Sequence, residues 1–146
     1  MADITRGFLI EAQNISRGQL LNGTVSAGDP IGLDGTGWVR ADADGVVSCL
    51  AFACQDGVSG DRISICEKGL YQTTTTLTAG GMVFLSATAG RLADATVGAI
   101  GTMTQVLGWV VGASPSGLIS LSATIPHVEA TFQTSLATII IAAAGT

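Results

Sequence analysis

The chain has 146 residues, enough for one ordinary domain, and it is 47% apolar but only 12% charged, about half the usual charged share. Its net charge is −5, and six basic residues lie scattered from Arg6 to Arg91, which excludes nucleic-acid binding by phosphate neutralisation. Twenty glycines, with abundant Ser and Thr, exclude a helical bundle and indicate short strands joined by tight turns. A surface so poor in charge implies cover by copies of the chain or by a larger assembly.

Residues 1–23 read as an extended N-terminal arm. Phe8, Leu9, Ile10 and Ile15 are apolar, while Gly7, Gly18 and Gly23 interrupt any helix, and a short strand is expected near Gly7–Glu11. Strand patterning takes over at Ser26. Pro30–Leu33 predicts a short strand, Asp34–Gly37 a turn, and Trp38–Ala41 its hairpin partner. The apolar run Val46–Cys54 predicts a strand covered on both faces. Arg62–Glu67 alternates as a strand, with Lys68–Tyr71 as a crossing segment after it.

A second copy of this order then follows. Met82–Leu85 is the short strand, Ala87–Gly90 the turn and Arg91–Ala93 the partner, with Trp38 matched to Arg91. After a glycine-rich loop, Gln105–Gly112 predicts a strand with Leu107, Trp109 and Val111 on one face; Leu118–Leu121 closes the unit. Ser26-Ala27-Gly28 opens one half and Thr78-Ala79-Gly80 the other. Two copies are too few for a solenoid, and neither has strands enough to bury a core alone. The expectation is one domain over 24–125, built from pseudo-repeats at about 26–70 and 78–122.

Pro126 and His127 mark a boundary before an apolar segment, 126–146, which carries no charged residue after Glu129. Phe132, Leu136, Ile139, Ile140 and Ile141 would drive aggregation if left in water. They are expected to form an extra strand or to lie on a neighbour, and burying each large apolar side chain contributes roughly 1.5–3 kcal/mol. Together with Phe8, Leu9 and Ile10 they are the candidate contacts to a partner, either a larger assembly or a neighbouring subunit. The apolar run LATIIIAAAG is too short to cross a bilayer, and MADITRGFLIEAQN lacks the long apolar stretch of a secretory signal.

No catalytic constellation emerges. The single histidine, His127, stands beside Pro126, and no serine sits in a G-x-S-x-G elbow. Asp42-Ala43-Asp44-Gly45 opens like a calcium loop, but Val46–Cys49 follow where an acidic ligand is needed, so these aspartates are expected to shape a turn. Gly35-Thr36-Gly37 and Gly98–Gly101 lack the helix and lysine of a phosphate loop. Cys49, Cys54 and Cys66 are odd in number and fit no zinc spacing, which favours buried, reduced thiols. Trp38, Phe52, Tyr71, Phe84 and Trp109 fall within strands and are expected to fill a core or an interface. No cofactor and no metal are expected.

The phrases A-G-D-P-I-G-L…G-W-V-x-A (27–41), A-x-A-C-x-D-G-V-x-G-D-x-I-S-I-C-x-K-G-L (51–70), T-A-G-x-x-V-F-L-S-A-T-A-G-R-L (78–92) and Q-V-L-G-W (105–109) resemble the small capsid decoration, or cement, proteins of tailed bacteriophages, of the lambda head decoration type. The resemblance covers about residues 23–122. It implies an all-β, β-tulip-like barrel or sandwich with extended N- and C-terminal arms, and a homotrimer on the exterior of the viral capsid. The partners implied are the major capsid protein and further copies of the chain, with no nucleic acid and no membrane. The protein would be made in the host cytoplasm and would stabilise the expanded head against the pressure of packaged DNA. The family carries no catalytic residues. The alternative expectation is a β-rich tail fibre or baseplate module, or a host-glycan-binding module, of a phage.

Overall fold

The computed structural model describes residues 3–45, 47–96, 102–112 and 117–123. The structure is all-β, with about half of the described residues in strands and no helix among them, and its antiparallel sheet curls into a half-barrel. The strands are β1 Phe8–Leu20, β2 Pro30–Leu33, β3 Trp38–Arg40, β4 Ala51–Ala53, β5 Arg62–Gln72, β6 Met82–Leu85, β7 Leu92–Ala93, β8 Val106–Val110 and β9 Leu118–Ser122. Their order in the sheet is β3-β2-β4-β5-β9-β8-β6-β7, with β1 laid along β5.

That order reads the same from both ends, so the repeated sequence is a repeated structure. Each half begins with one turn. Asp29 N–H donates to Ser26 O at 3.0 Å, and Gly81 N–H donates to Thr78 O at 3.0 Å. Gly28 and Gly80 occupy the third turn position at φ 86° and 80°, where any L side chain is strained. The turns are then tied down alike: Gly28 N–H donates to Ala53 O, and Gly80 N–H to Val110 O. The hairpin registers place Leu33 opposite Trp38 and Leu85 opposite Leu92. Trp38 therefore corresponds to Leu92, not to Arg91, because the second hairpin loop is longer.

Two core clusters lie on opposite sides of the β4–β5 region. Along β4, Ala51 and Ala53 enter a small cluster with Leu21, Val25, Ile31, Ile63 and Ile65, while Phe52 enters the larger one. On β5, Ile65 belongs to the small cluster and Cys66 to the large. This alternation is why the run around β4 is apolar on both parities. The large cluster joins the halves, since Phe52 and Cys66 pack with Leu85, Leu107, Ile119 and Leu121.

Several elements differ from the sequence reading. The strand expected over Val46–Cys54 is only Ala51–Ala53 among the described residues. Just before it, the backbone is satisfied by a side chain: Cys49 N–H donates to Gln105 Oε1, and Gln105 Nε2 donates to Cys49 O, both at 2.8 Å and fully buried. The expected crossing segment Lys68–Tyr71 is part of β5, which runs unbroken because β1 pairs with it from Arg62 to Gln72. Leu107 and Trp109 do not share an environment. Val83 pairs with Gly108 but Phe84 with Val106, so Leu107 is an extra residue in a bulge and is buried, while Trp109 is half exposed. The N-terminal arm is extended as expected, but its strand is longer than Gly7–Glu11 and lies on the chain's own sheet. The tail beyond Ala123 lies outside the described residues.

Replacing Gln105 by Leu keeps the volume but strands a buried N–H and C=O at Cys49. At roughly 1–3 kcal/mol for each unsatisfied group, about 2–6 kcal/mol of stability should be lost, measurable by urea denaturation.

Candidate functional site

Residues 3–7 are fastened to the core before β1 begins. Ile4 is 1% exposed and its N–H donates to Leu92 O at 2.8 Å. Ser86 Oγ donates to the Asp3 carboxylate. Arg6 Nε reaches Asp29 Oδ1 at 3.1 Å, and Arg40 Nε reaches Asp29 Oδ2 at 2.9 Å. Asp29 also accepts Ser26 N–H at 2.9 Å and is 2% exposed, so one buried carboxylate holds the turn, β3 and the N-terminal segment together. Gly7 N–H donates to the Tyr71 hydroxyl at 2.5 Å. Burial holds the Tyr71 phenol above its ordinary pKa despite that bond.

This fastening launches β1 as the longest strand and lays it along β5, its only strand partner among the described residues. Phe8 and Ile10 are 60% and 55% exposed, and Ile15 is also exposed. Leu9 packs against the large core cluster instead. Of the three N-terminal candidates, then, the structure leaves two exposed and packs the third against the core. Phe132, Leu136, Ile139, Ile140 and Ile141 lie outside the described residues, as does His127.

A second surface feature was missed in the sequence. Paired registers place Met82, Trp109, Ser120, Leu70 and Glu11 in one row across β6, β8, β9, β5 and β1. A cleft of mixed polarity, about 360 Å³, includes Glu11, Gln13, Lys68 and Ser122 at one end, and an apolar groove of about 170 Å³ lies against Trp109 and Met82 at the other. Only the strand pairing brings these distant residues together.

Several aspartates serve turns. Asp34 Oδ1 accepts the N–H groups of Thr36 and Gly37, and its Oδ2 accepts Asn22 Nδ2 at 2.7 Å; the Thr36 bond foremost, then Asn22, hold its carboxyl below the ordinary range. Asp42 accepts from Asp44 N–H, and Asp61 from Val58 N–H. Among the described residues no three His, Cys, Asp or Glu side chains converge on a metal-sized site. No described helix is long and apolar enough to cross a membrane. Cys49, Cys54 and Cys66 are free thiols. Burial pushes Cys49 and Cys66 up to about 12 and raises Cys54 as well.

Comparison with family models, curated proteins and solved structures finds no match to this chain.

The thiols set a pH dependence. Their ordinary pKa is 9.0, and Cys49 and Cys66 reach about 12 in the fold, so the unfolded chain sheds these protons first as pH rises. Stability should be constant through pH 8 and fall from about pH 9 upward, as read by urea denaturation. At pH 8 a thiol reagent should label Cys54 slowly and Cys49 not at all until the protein unfolds. Asp29→Ala should release the N-terminal segment, seen as faster hydrogen exchange at Ile4 and Gly7.

Proposed function

We propose that the protein is a non-enzymatic capsid decoration protein, which binds the outside of a mature phage head as a homotrimer and stabilises the expanded shell. The observation that carries this reading is β1. It is a long strand with a single strand partner among the described residues, and it presents Phe8 and Ile10 outward. Edge strands of this kind offer unpaired N–H and C=O groups to another sheet, and soluble proteins usually blunt them with charge. Here β1 carries only Glu11 and Arg17 as charged residues. The sparse charge of the whole chain and the resemblance of residues 23–122 to cement proteins support the same reading.

The mechanism is one of linkage. A ligand that binds only the expanded lattice stabilises that lattice by its own binding free energy, in proportion to the logarithm of its free concentration over Kd. A trimer touching several capsid subunits multiplies the effect, because each added contact is made at high effective concentration. The major capsid protein is the partner, met by β1 and by Leu136 and Ile139–Ile141 of the tail.

Purified protein should co-sediment with expanded heads and not with unexpanded ones; equal binding to both would remove the maturation-locking role. Phe8→Asp with Ile10→Asp should weaken head binding at least tenfold, which corresponds to about 1.4 kcal/mol, while the urea midpoint stays near wild type. A few copies located at the tail, instead of many on the head, would favour a tail-fibre or baseplate module.

A further inference from the structure

Two of the three free thiols meet. In the β4–β5 ladder Phe52 lies opposite Cys66 and Ala53 opposite Ile65, and Cys54 N–H carries the pairing on to Ser64 O at 3.0 Å. Side chains alternate between the faces of a sheet, so Cys54 stands on the same face as Phe52 and diagonal to Cys66. The packing agrees: Phe52 and Cys66 belong to the large cluster, and Cys54 packs against it. Across this diagonal the two thiols are in hydrogen-bond contact. The third thiol is engaged elsewhere, since Cys49 Sγ donates to Ala51 O at 3.2 Å.

The pair is asymmetric. Cys66 is fully buried, whereas Cys54 is partly exposed. An oxidant arriving from solvent therefore meets Cys54 first, with Cys66 directly behind it. Burial raises the Cys54 pKa, but the Cys66 S–H donates to the Cys54 sulfur and opposes that rise, while burial pushes Cys66 itself up to about 12. Cys54 is thus the sulfur that ionises before its partner, and the thiolate is the reactive form. Once Cys54 is oxidised, the contact already in place presents Cys66 to it at an effective concentration that no second molecule matches.

We propose that Cys54 and Cys66 are an oxidation site, at which a peroxide converts the two thiols into one disulfide between β4 and β5. The Cys54 sulfur attacks the peroxide, the O–O bond breaks, and with hydrogen peroxide a sulfenic acid and one water result. The Cys66 sulfur then attacks the Cys54 sulfur, the S–O bond breaks, and the hydroxyl leaves with the Cys66 proton as a second water. The two thiols give up two electrons and two protons, and the peroxide takes up both. The cross-link closes a loop over residues 55–65. That loop grips the connection from β1 to β2, for Leu21 N–H donates to Asp61 O at 2.8 Å and Val25 N–H to Gly57 O at 2.9 Å. Oxidation therefore tightens the segment that follows β1 as well as the β4–β5 pair. The inference does not depend on the capsid reading.

Thiol mapping of the folded full chain tests it. The protein is treated with hydrogen peroxide at pH 8, then denatured, blocked with N-ethylmaleimide and digested. The oxidised chain should stay monomeric, carry maleimide on Cys49 alone, and yield one peptide pair joined through Cys54 and Cys66. Dithiothreitol should restore all three reactive thiols, and Cys49→Ser should leave the cross-link unchanged. As a second readout, hydrogen exchange at Leu21 and Val25 should slow about tenfold on oxidation of wild type and not at all in peroxide-treated Cys54→Ser. A sulfinic acid at Cys54 with Cys66 still open to maleimide overturns the proposal, as do a Cys54–Cys54 dimer, a disulfide through Cys49, and three thiols left reduced. Exchange at Leu21 and Val25 that ignores the cross-link overturns its effect on the β1–β2 connection.

Discussion

Strand β5 is the constraint on which the rest of the structure depends. Its residues pair with β1 from end to end, with β4 near Ile65 and Cys66, and with β9 from Lys68 to Gln72. A strand serving three neighbours must satisfy two different surroundings along its length. Ile63 and Ile65 meet the small cluster, whereas Cys66 and Tyr71 meet the large one. The buried thiol suits this role: it is small, weakly polar and asks for no strong hydrogen-bond partner. Because β5 is the last strand of one half and pairs with β9, the last strand of the other, this seam turns two marginal half-sheets into one curled sheet.

Polar groups complete the closure that the apolar core begins. Gln105 supplies a buried amide where the β4 ladder stops, and Asp29 collects two arginines and a backbone N–H at the mouth of the first turn. Both are nearly inaccessible, so their hydrogen bonds are costly to lose. Gln105 fastens one half to the other; Asp29, through Arg6, fastens the segment before β1 to the first half. The position of the exposed strand is therefore set by its ladder to β5 and by the Arg6–Asp29 contact before it more than by its own burial, which is slight.

The halves are alike in backbone and unlike in cover. The same turn, with glycine at positive φ, starts β2 and β6, and the same backbone bond ties each turn to β4 or β8. Yet Phe52 is enclosed and Trp109 is not. Repetition supplies a scaffold, and the differences written onto it supply the surfaces: a mixed cleft with Glu11, Gln13 and Lys68, and an apolar groove against Trp109. Both surfaces arise from residues far apart in the chain that pairing sets side by side.

Much of the strand content was legible because local chemistry decides it. Pro30–Leu33 and Met82–Leu85 are bounded by turn residues whose φ values few other residues adopt, and the structure keeps both ranges unchanged. The long β1 was not legible. Its burial pattern has no clean period of two, its ladder shifts between Leu9 and Glu11, and Asn14 sits at φ 56°. Nor was the bulge at Leu107 visible, since the inserted residue is an ordinary leucine and only the partner strand reveals the mismatch. The sequence by itself determined the strand class, the repeat and the turns, because these follow from glycine conformation and apolar spacing over a few residues. The tertiary structure alone decided which apolar residues stay outside. Leu107 and Trp109 stand two residues apart on one strand, and it is long-range register, acting through the bulge at Leu107, that buries one and exposes the other.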